Sequence, residues 1–146
     1  MKKHIPSDKN FETRVRESFL KQTIMNSIGA ELKSVEPGSI VIEMPFNKNY
    51  CQQNGFLHAG VITTIVDSAC GYAAISLMPE GSDALTVEFK INLLSPAVGE
   101  KIIAIGEVVK AGKTITISSG EAFSVNKEGE KKQIALMKAT LIKSNL

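Results

Sequence analysis

Tryptophan is absent from this chain of 146 residues, and there are only two histidines and two cysteines. His4 and His58 are too few for a histidine-rich metal site, and no Cys-x-x-Cys pair offers the thiolates of a structural zinc site. Small secreted domains held together by disulfides normally carry more cysteines than Cys51 and Cys70. We therefore expect a cytoplasmic protein without a bound metal.

The chain also lacks a large excess of charge of either sign. The 17 basic and 15 acidic residues leave a net charge of +2 and are spread along the chain, whereas nucleic-acid-binding proteins usually cluster their charge. Arginine, which base readout favours, occurs only as Arg14 and Arg16. Aromatic residues make up 5% of the chain, which is few for a platform that stacks bases. These shortages argue against a nucleic-acid partner.

The N-terminus lacks the apolar run of a signal peptide, because polar residues follow the basic start MKKHIPSDKN. We expect residues 1–9 to be frayed. Apolar residues then recur at near-helical spacing and predict an amphipathic N-terminal helix over about 10–28, which ends near Gly29.

Short runs rich in Ile, Val and Thr predict β-strands. The sequence Glu36-Pro37-Gly38 predicts the turn of a hairpin, because Pro fixes φ and Gly accepts a positive φ. From Leu85 to Leu93 apolar and polar residues alternate, which predicts a long half-buried strand with its apolar residues on one face. The predicted strands are 30–35, 39–44, 85–93, 101–110, 114–125 and 133–143, and residues 46–57 are predicted to form a loop.

Residues 58–78 are dense in small and apolar side chains and carry a single charge, Asp67. A helix over these 21 residues would be about 30 Å long, which is enough to span a bilayer. The central aspartate, the Thr and Ser residues beside it and the lack of basic flanks favour instead a helix that a sheet buries.

These elements predict an α+β fold, in which an antiparallel sheet of six strands curls around the long apolar helix. The length fits one domain, 1–146, whose core spans about 30–143.

The segment from Gln52 to Gly60, together with Asp67, is the part of the sequence best suited to chemistry. A loop there enters the long helix near His58, and free N–H groups at a helix start can hold a developing oxyanion. Asp67 is isolated in an uncharged stretch, and a buried carboxylate is costly unless it has a partner or a function. It is either a functional group, or it is exposed or satisfied by the neighbouring Thr63, Thr64 or Ser68.

The stretches HAGVITTIVDSACGYAA and TVEFKINLLSPAVGE, followed by a hairpin containing GKT, resemble hotdog-fold acyl-CoA thioesterases. The similarity is to the phenylacetic-acid-pathway (PaaI) and 4-hydroxybenzoyl-CoA thioesterase type, and it covers about residues 39–142. It implies one helix lying in a curved antiparallel sheet. It also implies hydrolysis of an acyl-CoA thioester to a carboxylic acid and coenzyme A, with no cofactor other than the coenzyme A of the substrate.

The resemblance also implies roles for individual residues. Asp67 corresponds to the nucleophile or general base, and the backbone N–H of Ala59 to a donor that binds the thioester carbonyl. The side-chain amide of the family falls on Gln52, and His58 is implied to shape the loop near the thioester. Thr86 corresponds to a residue that positions water or the carboxylate, although the alternation puts it on the polar face of its strand.

Four further residues are candidates for contact with the substrate. Asn54 and Gly60 belong to the segment in which the loop enters the helix. Lys110 and Lys113, near a hairpin turn, are candidates for the phosphates of coenzyme A. The alternative for both lysines is a solvated surface, where lysine usually lies.

Ala59 and Asp67 are eight residues apart, or about 12 Å along a helix. A nucleophile must come within about 3.5 Å of the carbonyl carbon, so one chain cannot easily supply both groups. Two chains with antiparallel helices can, and we expect at least a homodimer, with the dimers paired again as in many members of the family. Two rival functions remain open: a non-catalytic acyl-CoA-binding protein, and a dehydratase or hydratase of the same fold.

Overall fold

The computed structural model describes residues 4–146. Its helices are α1 (Phe11–Leu20), α2 (Thr23–Ile28) and α3 (Ala59–Ile75), with a short 3-10 helix at Lys48–Tyr50. Its strands are β1 (Glu31–Glu36), β2 (Ser39–Pro45), β3 (Asp83–Leu93), β4 (Lys101–Ala111), β5 (Ile115–Val125) and β6 (Lys131–Ser144).

The strands form one antiparallel sheet in the order β1-β2-β4-β5-β6-β3. The predicted hairpin is confirmed, and its turn uses Gly38 at a φ of 77°. The strands β4, β5 and β6 begin and end within two residues of their predicted bounds. The edges of the sheet are β1 and β3, so β3 pairs with one neighbour only.

Helix α3 packs across one face of this sheet, as the sequence predicted. Two glycines that pair across β4 and β5, Gly106 and Gly120, allow the close approach. A Cβ on Gly106 would lie 2.3 Å from the carbonyl group of Ala69, and one on Gly120 would lie 2.5 Å from Cγ1 of Val66. The helix therefore rests on the sheet backbone itself. Fully buried side chains in this layer include Ile40, Ile42, Ile65, Val66, Ile102, Met137 and Leu141.

The apolar segment predicted over 58–78 is helical over Ala59–Ile75. Among residues 4–146, no helix combines the length and apolar character needed to cross a membrane.

The single helix predicted over about 10–28 is wrong, because the chain breaks between α1 and α2. Gln22 is extended there, with φ −76° and ψ 97°. Its side chain bonds to α3, where Nε2 donates to the hydroxyl of Tyr72 at 3.1 Å and Oε1 accepts from Ser68 at 3.3 Å. These contacts with a distant part of the chain fix a break that the local periodicity does not show.

The frayed end predicted for residues 1–9 is wrong for the part that the structure describes, and residues 1–3 lie outside it. Nε2 of His4 lies 3.1 Å from the carbonyl oxygen of Val108. Asp8 forms an ion pair of 2.9 Å with Arg14, whose guanidinium donates to the carbonyl of Met78 at 2.8 Å and to that of Ile75 at 3.2 Å. Arg14 thus satisfies carbonyl groups where α3 ends, and its charge suits the negative end of a helix dipole.

Strand β3 contains a bulge at Val87. Thr86 opposes Leu141 of β6, whereas Glu88, two residues later, opposes Thr140, which is only one residue away from Leu141. The extra residue shifts the alternation of side chains by one position from there onward.

The bulge has two consequences for the side chains of β3. Thr86 and Phe89 share the face towards α3, because their partners Leu141 and Ala139 are both buried on it. The prediction of one apolar face is therefore wrong, since Leu85 lies on the opposite face from Phe89. Because β3 is also an edge strand, four of its five large apolar side chains are 41% to 54% exposed in the protomer: Leu85, Val87, Phe89 and Leu93.

Candidate active site

The loop before α3 delivers His58 to the position that caps the helix. Backbone hydrogen bonds from Leu57 to Ala97 and from His58 to Tyr50, each 2.9 Å, hold the end of this loop. Nδ1 of His58 accepts the backbone N–H of Gly60 at 2.9 Å, so the imidazole serves as the N-cap. A Cβ on Gly60 would lie 3.1 Å from Nδ1, which explains why a glycine suits this position.

The capping arrangement leaves one backbone amide without a partner. The N–H groups of Val61 and Ile62 both donate to the carbonyl of His58, at 3.0 and 3.3 Å, while that of Gly60 is taken by the imidazole. The N–H of Ala59 makes no hydrogen bond within residues 4–146. It lies at the positive end of the dipole of a 17-residue helix, where a partial negative charge is stabilised.

Gln52 lines the same cavity as Ala59. Its Oε1 accepts the backbone N–H of Asn54, and this contact fixes the orientation of the carboxamide because a backbone N–H requires an acceptor. The Nε2 group of Gln52 is left as a donor. Both Gln52 and Ala59 line a cavity of about 360 Å³, whose remaining wall is mainly apolar: Phe56, Leu57, Ile62, Leu93, Leu94, Ser95, Pro96, Ala97 and Ile134. The side chain of Asn54 is exposed. Asn54 contributes here through its backbone N–H, which donates to Gln52.

Asp67 lies two turns further along α3, in a second cleft of about 380 Å³. Thr86 donates a hydrogen bond of 2.8 Å to Oδ1 of Asp67, which the bulge at Val87 makes possible. Thr63 and Thr64 bond instead to the carbonyl groups of Ala59 and Gly60. Thr86 is therefore the hydrogen-bonding partner of Asp67, and the alternative that a neighbour on α3 satisfies this carboxylate is wrong.

Partial burial raises the pKa of Asp67 above the ordinary value of an aspartate, and the hydrogen bond from Thr86 lowers it again in part. No cationic side chain bonds to the carboxylate within the described residues. Its Oδ2 is not a buried atom, so one carboxylate oxygen is both unpaired and accessible. Such an oxygen can attack a carbonyl carbon or take a proton from water.

Within one protomer the structure keeps the carboxylate and the two donors apart. Ala59 and Asp67 lie on one continuous helix, separated by about 12 Å, and they line different cavities. The structure thus brings Gln52, Ala59 and His58 together at one end of α3, and Asp67 and Thr86 together at its middle.

The two lysines predicted to bind phosphate lie elsewhere in the protomer. Lys113 lines a third cavity with His4 and Met78, and Lys110 is exposed on β4. Neither residue lines the cavities that hold Gln52 or Asp67. Their binding to coenzyme A stays a prediction.

Sequence reasoning missed the wall of the Asp67 cleft. It consists largely of polar side chains from α3 and from the junction of α1 with α2, namely Ser18, Lys21, Gln22, Ser68 and Tyr72. Ser68 and Tyr72 follow Asp67 closely on a predicted helix and could have been suspected. No local signal links Gln22 to them.

Comparison with known proteins agrees with this architecture. The family model described as the Thioesterase superfamily matches residues 54–130. A thioesterase family protein of Silicibacter pomeroyi has 46% identity and a TM-score of 0.89, over 91% of this chain and 97% of that chain. Human acyl-coenzyme A thioesterase 13 is 33% identical over 89 residues, which are 60% of this chain and 63% of that protein.

The PaaI protein of E. coli shares the fold, with a TM-score of 0.82 at 19% identity, over 94% of this chain and 96% of that chain. The predicted hotdog fold is thereby confirmed.

Proposed function

Because the chain belongs to the thioesterase superfamily, we propose that it hydrolyses acyl-CoA thioesters to a free carboxylic acid and coenzyme A. The observation that carries the proposal is that the unpaired N–H of Ala59 and the Nε2 donor of Gln52 belong to residues that line one cavity. Two donors in a mainly apolar cavity are suited to the oxygen of a thioester carbonyl as it gains negative charge.

Asp67 supplies the group that reacts with the polarised carbonyl. In one route Oδ2 attacks the carbonyl carbon, the C–S bond breaks, and water then hydrolyses the resulting mixed anhydride. In the other route the carboxylate takes a proton from a water molecule whose oxygen attacks the same carbon. Both routes release the thiolate of coenzyme A, which gains a proton, and both leave the acyl group as a carboxylic acid. Thr86 orients the carboxylate through Oδ1 and leaves Oδ2 for the reaction.

The proposal requires two chains. A two-fold dimer with antiparallel α3 helices brings Asp67 of one protomer to Ala59 and Gln52 of its partner. The exposed apolar residues of the edge strand β3 support this assembly, because a long apolar edge normally pairs with another strand or is covered. We propose a homodimer as the smallest active unit, with a dimer of dimers as the assembly in solution.

The capping role of His58 argues against the dehydratase or hydratase alternative. Its Nδ1 accepts the backbone N–H of Gly60 and so cannot serve as the base of a histidine–acid pair. The non-catalytic alternative is addressed by experiment.

The test is release of thiol from a short, a medium, a long and an aromatic substrate: acetyl-CoA, hexanoyl-CoA, palmitoyl-CoA and phenylacetyl-CoA. We expect at least one to be hydrolysed by the parent chain and none at a comparable rate by Asp67→Asn. Binding of the same thioesters without release of thiol would support the non-catalytic alternative and contradict the proposal.

A further inference from the structure

The cleft beside Asp67 has a polar wall that the junction of α1 with α2 builds. Gln22 connects two residues of α3, because Nε2 donates to Tyr72 at 3.1 Å and Oε1 accepts from Ser68 at 3.3 Å. The hydroxyl of Tyr72 also lies 3.2 Å from that of Ser18. All four side chains line the cleft that holds Asp67. Ser18 and Gln22 lie outside residues 54–130, the segment that matches the family model, whereas Ser68 and Tyr72 lie inside it.

The network retains capacity for a further hydrogen bond. A carboxamide has two N–H groups and two lone pairs on oxygen, and Gln22 uses one of each within the described residues. The cavity of Gln52 and Ala59, by contrast, has a wall dominated by apolar residues. The two cavities therefore suit groups of different polarity, and in the proposed dimer the polar cleft of one protomer would face the apolar cavity of its partner across the reacting carbonyl.

Gly71 leaves the space in front of this network open. It lies one turn after Asp67 on α3 and lines the same cleft. A Cβ there would meet nothing closer than Cδ2 of Leu141, at 3.9 Å, so packing does not demand a glycine. Glycine is a poor helix former, and at this interior position it has no positive φ to justify it. The missing side chain keeps room beside the carboxylate.

We propose that Gln22, with Ser68 and Tyr72, recognises a hydrogen-bonding group of the substrate next to the thioester, and that Gly71 makes room for that group. The proposal rests on the thioesterase function proposed above. Such a group has two sources, a hydroxyl on the acyl chain or an amide of the pantetheine arm of coenzyme A.

The experiment compares Gln22→Leu with the parent on three substrates. They are butanoyl-CoA, 3-hydroxybutanoyl-CoA and the ethyl thioester of butanoic acid, which lacks the pantetheine arm. Gln133→Leu is the matched control, since its amide bonds to Glu121 at 2.8 Å and lines neither cavity. Thermal unfolding establishes that each variant is folded. Tyr72→Phe, which removes one oxygen of the network, serves as a second variant.

We expect Gln22→Leu to lower kcat/KM selectively, by roughly tenfold, the effect of one hydrogen bond. A loss confined to 3-hydroxybutanoyl-CoA identifies the acyl hydroxyl. An equal loss on both CoA esters, without loss on the ethyl thioester, identifies the pantetheine arm. Gln133→Leu should leave all three values within about threefold.

Gly71→Ala provides an independent readout. We expect it to raise Tm, because alanine favours the helix, while it lowers kcat/KM for the substrate that fills the cleft. Equal changes on all three substrates by Gln22→Leu and Tyr72→Phe, or none, would overturn the inference and leave the hydrolase proposal standing. Failure of the parent to hydrolyse any thioester would overturn the proposed function and, with it, this inference.

Discussion

Thr86 on β3 donates a hydrogen bond of 2.8 Å to Oδ1 of Asp67 on α3, and the bulge at Val87 is what turns Thr86 towards the helix. A bulge re-aims side chains along a strand, and bulges are common beside active sites. The contact fixes one oxygen of the carboxylate and favours its ionised form.

Thr86→Val should therefore raise the pKa of Asp67 further, since burial still raises it and the hydrogen bond no longer opposes that effect. The acid limb of the plot of kcat/KM against pH should move to higher pH. Thr140→Val, which removes a hydroxyl bonded to Glu88 on the exposed face of the same strand pair, should leave the limb unmoved. If the acid limb does not shift in Thr86→Val, Thr86 does not influence the ionisation of Asp67 and its proposed role is wrong.

Asp67→Asn should abolish most turnover and yet stabilise the protein at neutral pH. Loss of a nucleophile or general base lowers kcat by about 10²- to 10⁴-fold. The pKa of Asp67 is higher in the folded chain than in the unfolded chain. The folded state therefore loses stability as the pH rises from the usual pKa of an aspartate to the raised pKa. We expect Tm of the variant to exceed that of the parent at pH 7, and the difference to vanish below about pH 4.

The matched control for that variant is Asp83→Asn. Asp83 lines the same cleft, and its Oδ1 accepts the N–H of Ala84. Its amide variant should retain kcat within about threefold. Equal losses in both variants would mean that the cleft needs negative charge in general and no carboxylate in particular.

Ala59→Pro should remove the oxyanion donor and keep the helix. Ala59 is the first residue of α3, where proline is well tolerated, and His58 before it already has φ −60° and ψ 140°. Without the N–H, kcat should fall by about 10²- to 10³-fold. Ala59→Gly, which keeps the N–H, should remain active, and circular dichroism should report the same helix content for both. Full activity of a folded Ala59→Pro would disprove the role of this amide.

Gly106→Ala should destabilise the protein, because its Cβ would lie 2.3 Å from the backbone carbonyl of Ala69 and helix α3 would have to move. Overpacking of this kind costs about 1 to 3 kcal/mol. Urea unfolding measures the loss. Gly71→Ala is the contrasting variant, as its Cβ has space and should stabilise the helix. Equal stability of Gly106→Ala and the parent would contradict the close packing of α3 on the sheet.

The sequence pattern predicted those helices and strands that depend mainly on interactions between residues close in the sequence. The alternation and turn residues predicted β4, β5 and β6 to within two residues, and the apolar segment predicted α3. The bulge at Val87 was not predicted, because an extra residue leaves the sequence alternation intact while it changes the face of Thr86. The N–H of Ala59 was expected from the helix start, since orphan amides follow from helix geometry alone.

The parts of the site that could not be predicted depend on contacts between distant residues. Gln22 breaks the first helical segment because Ser68 and Tyr72 offer partners 46 and 50 residues away. In the sequence, nothing distinguishes Arg14 from a cation on the surface. In the structure, it donates hydrogen bonds to the carbonyl groups at the end of α3. Tertiary hydrogen bonds of this kind override local propensity.

The measurement that tests the shared active site most directly is complementation between two inactive chains. Asp67→Asn lacks the carboxylate, and Gln52→Ala lacks an N–H donor to the thioester carbonyl, so each homodimer should be nearly inactive. Refolded together in equal amounts, half of the dimers should be mixed, each with one intact site and one doubly altered site, and activity per chain should reach about one quarter of the parent's. Activity no greater than the sum of the two variants alone, or an active parent that sediments as a monomer, would contradict an active site shared between two chains.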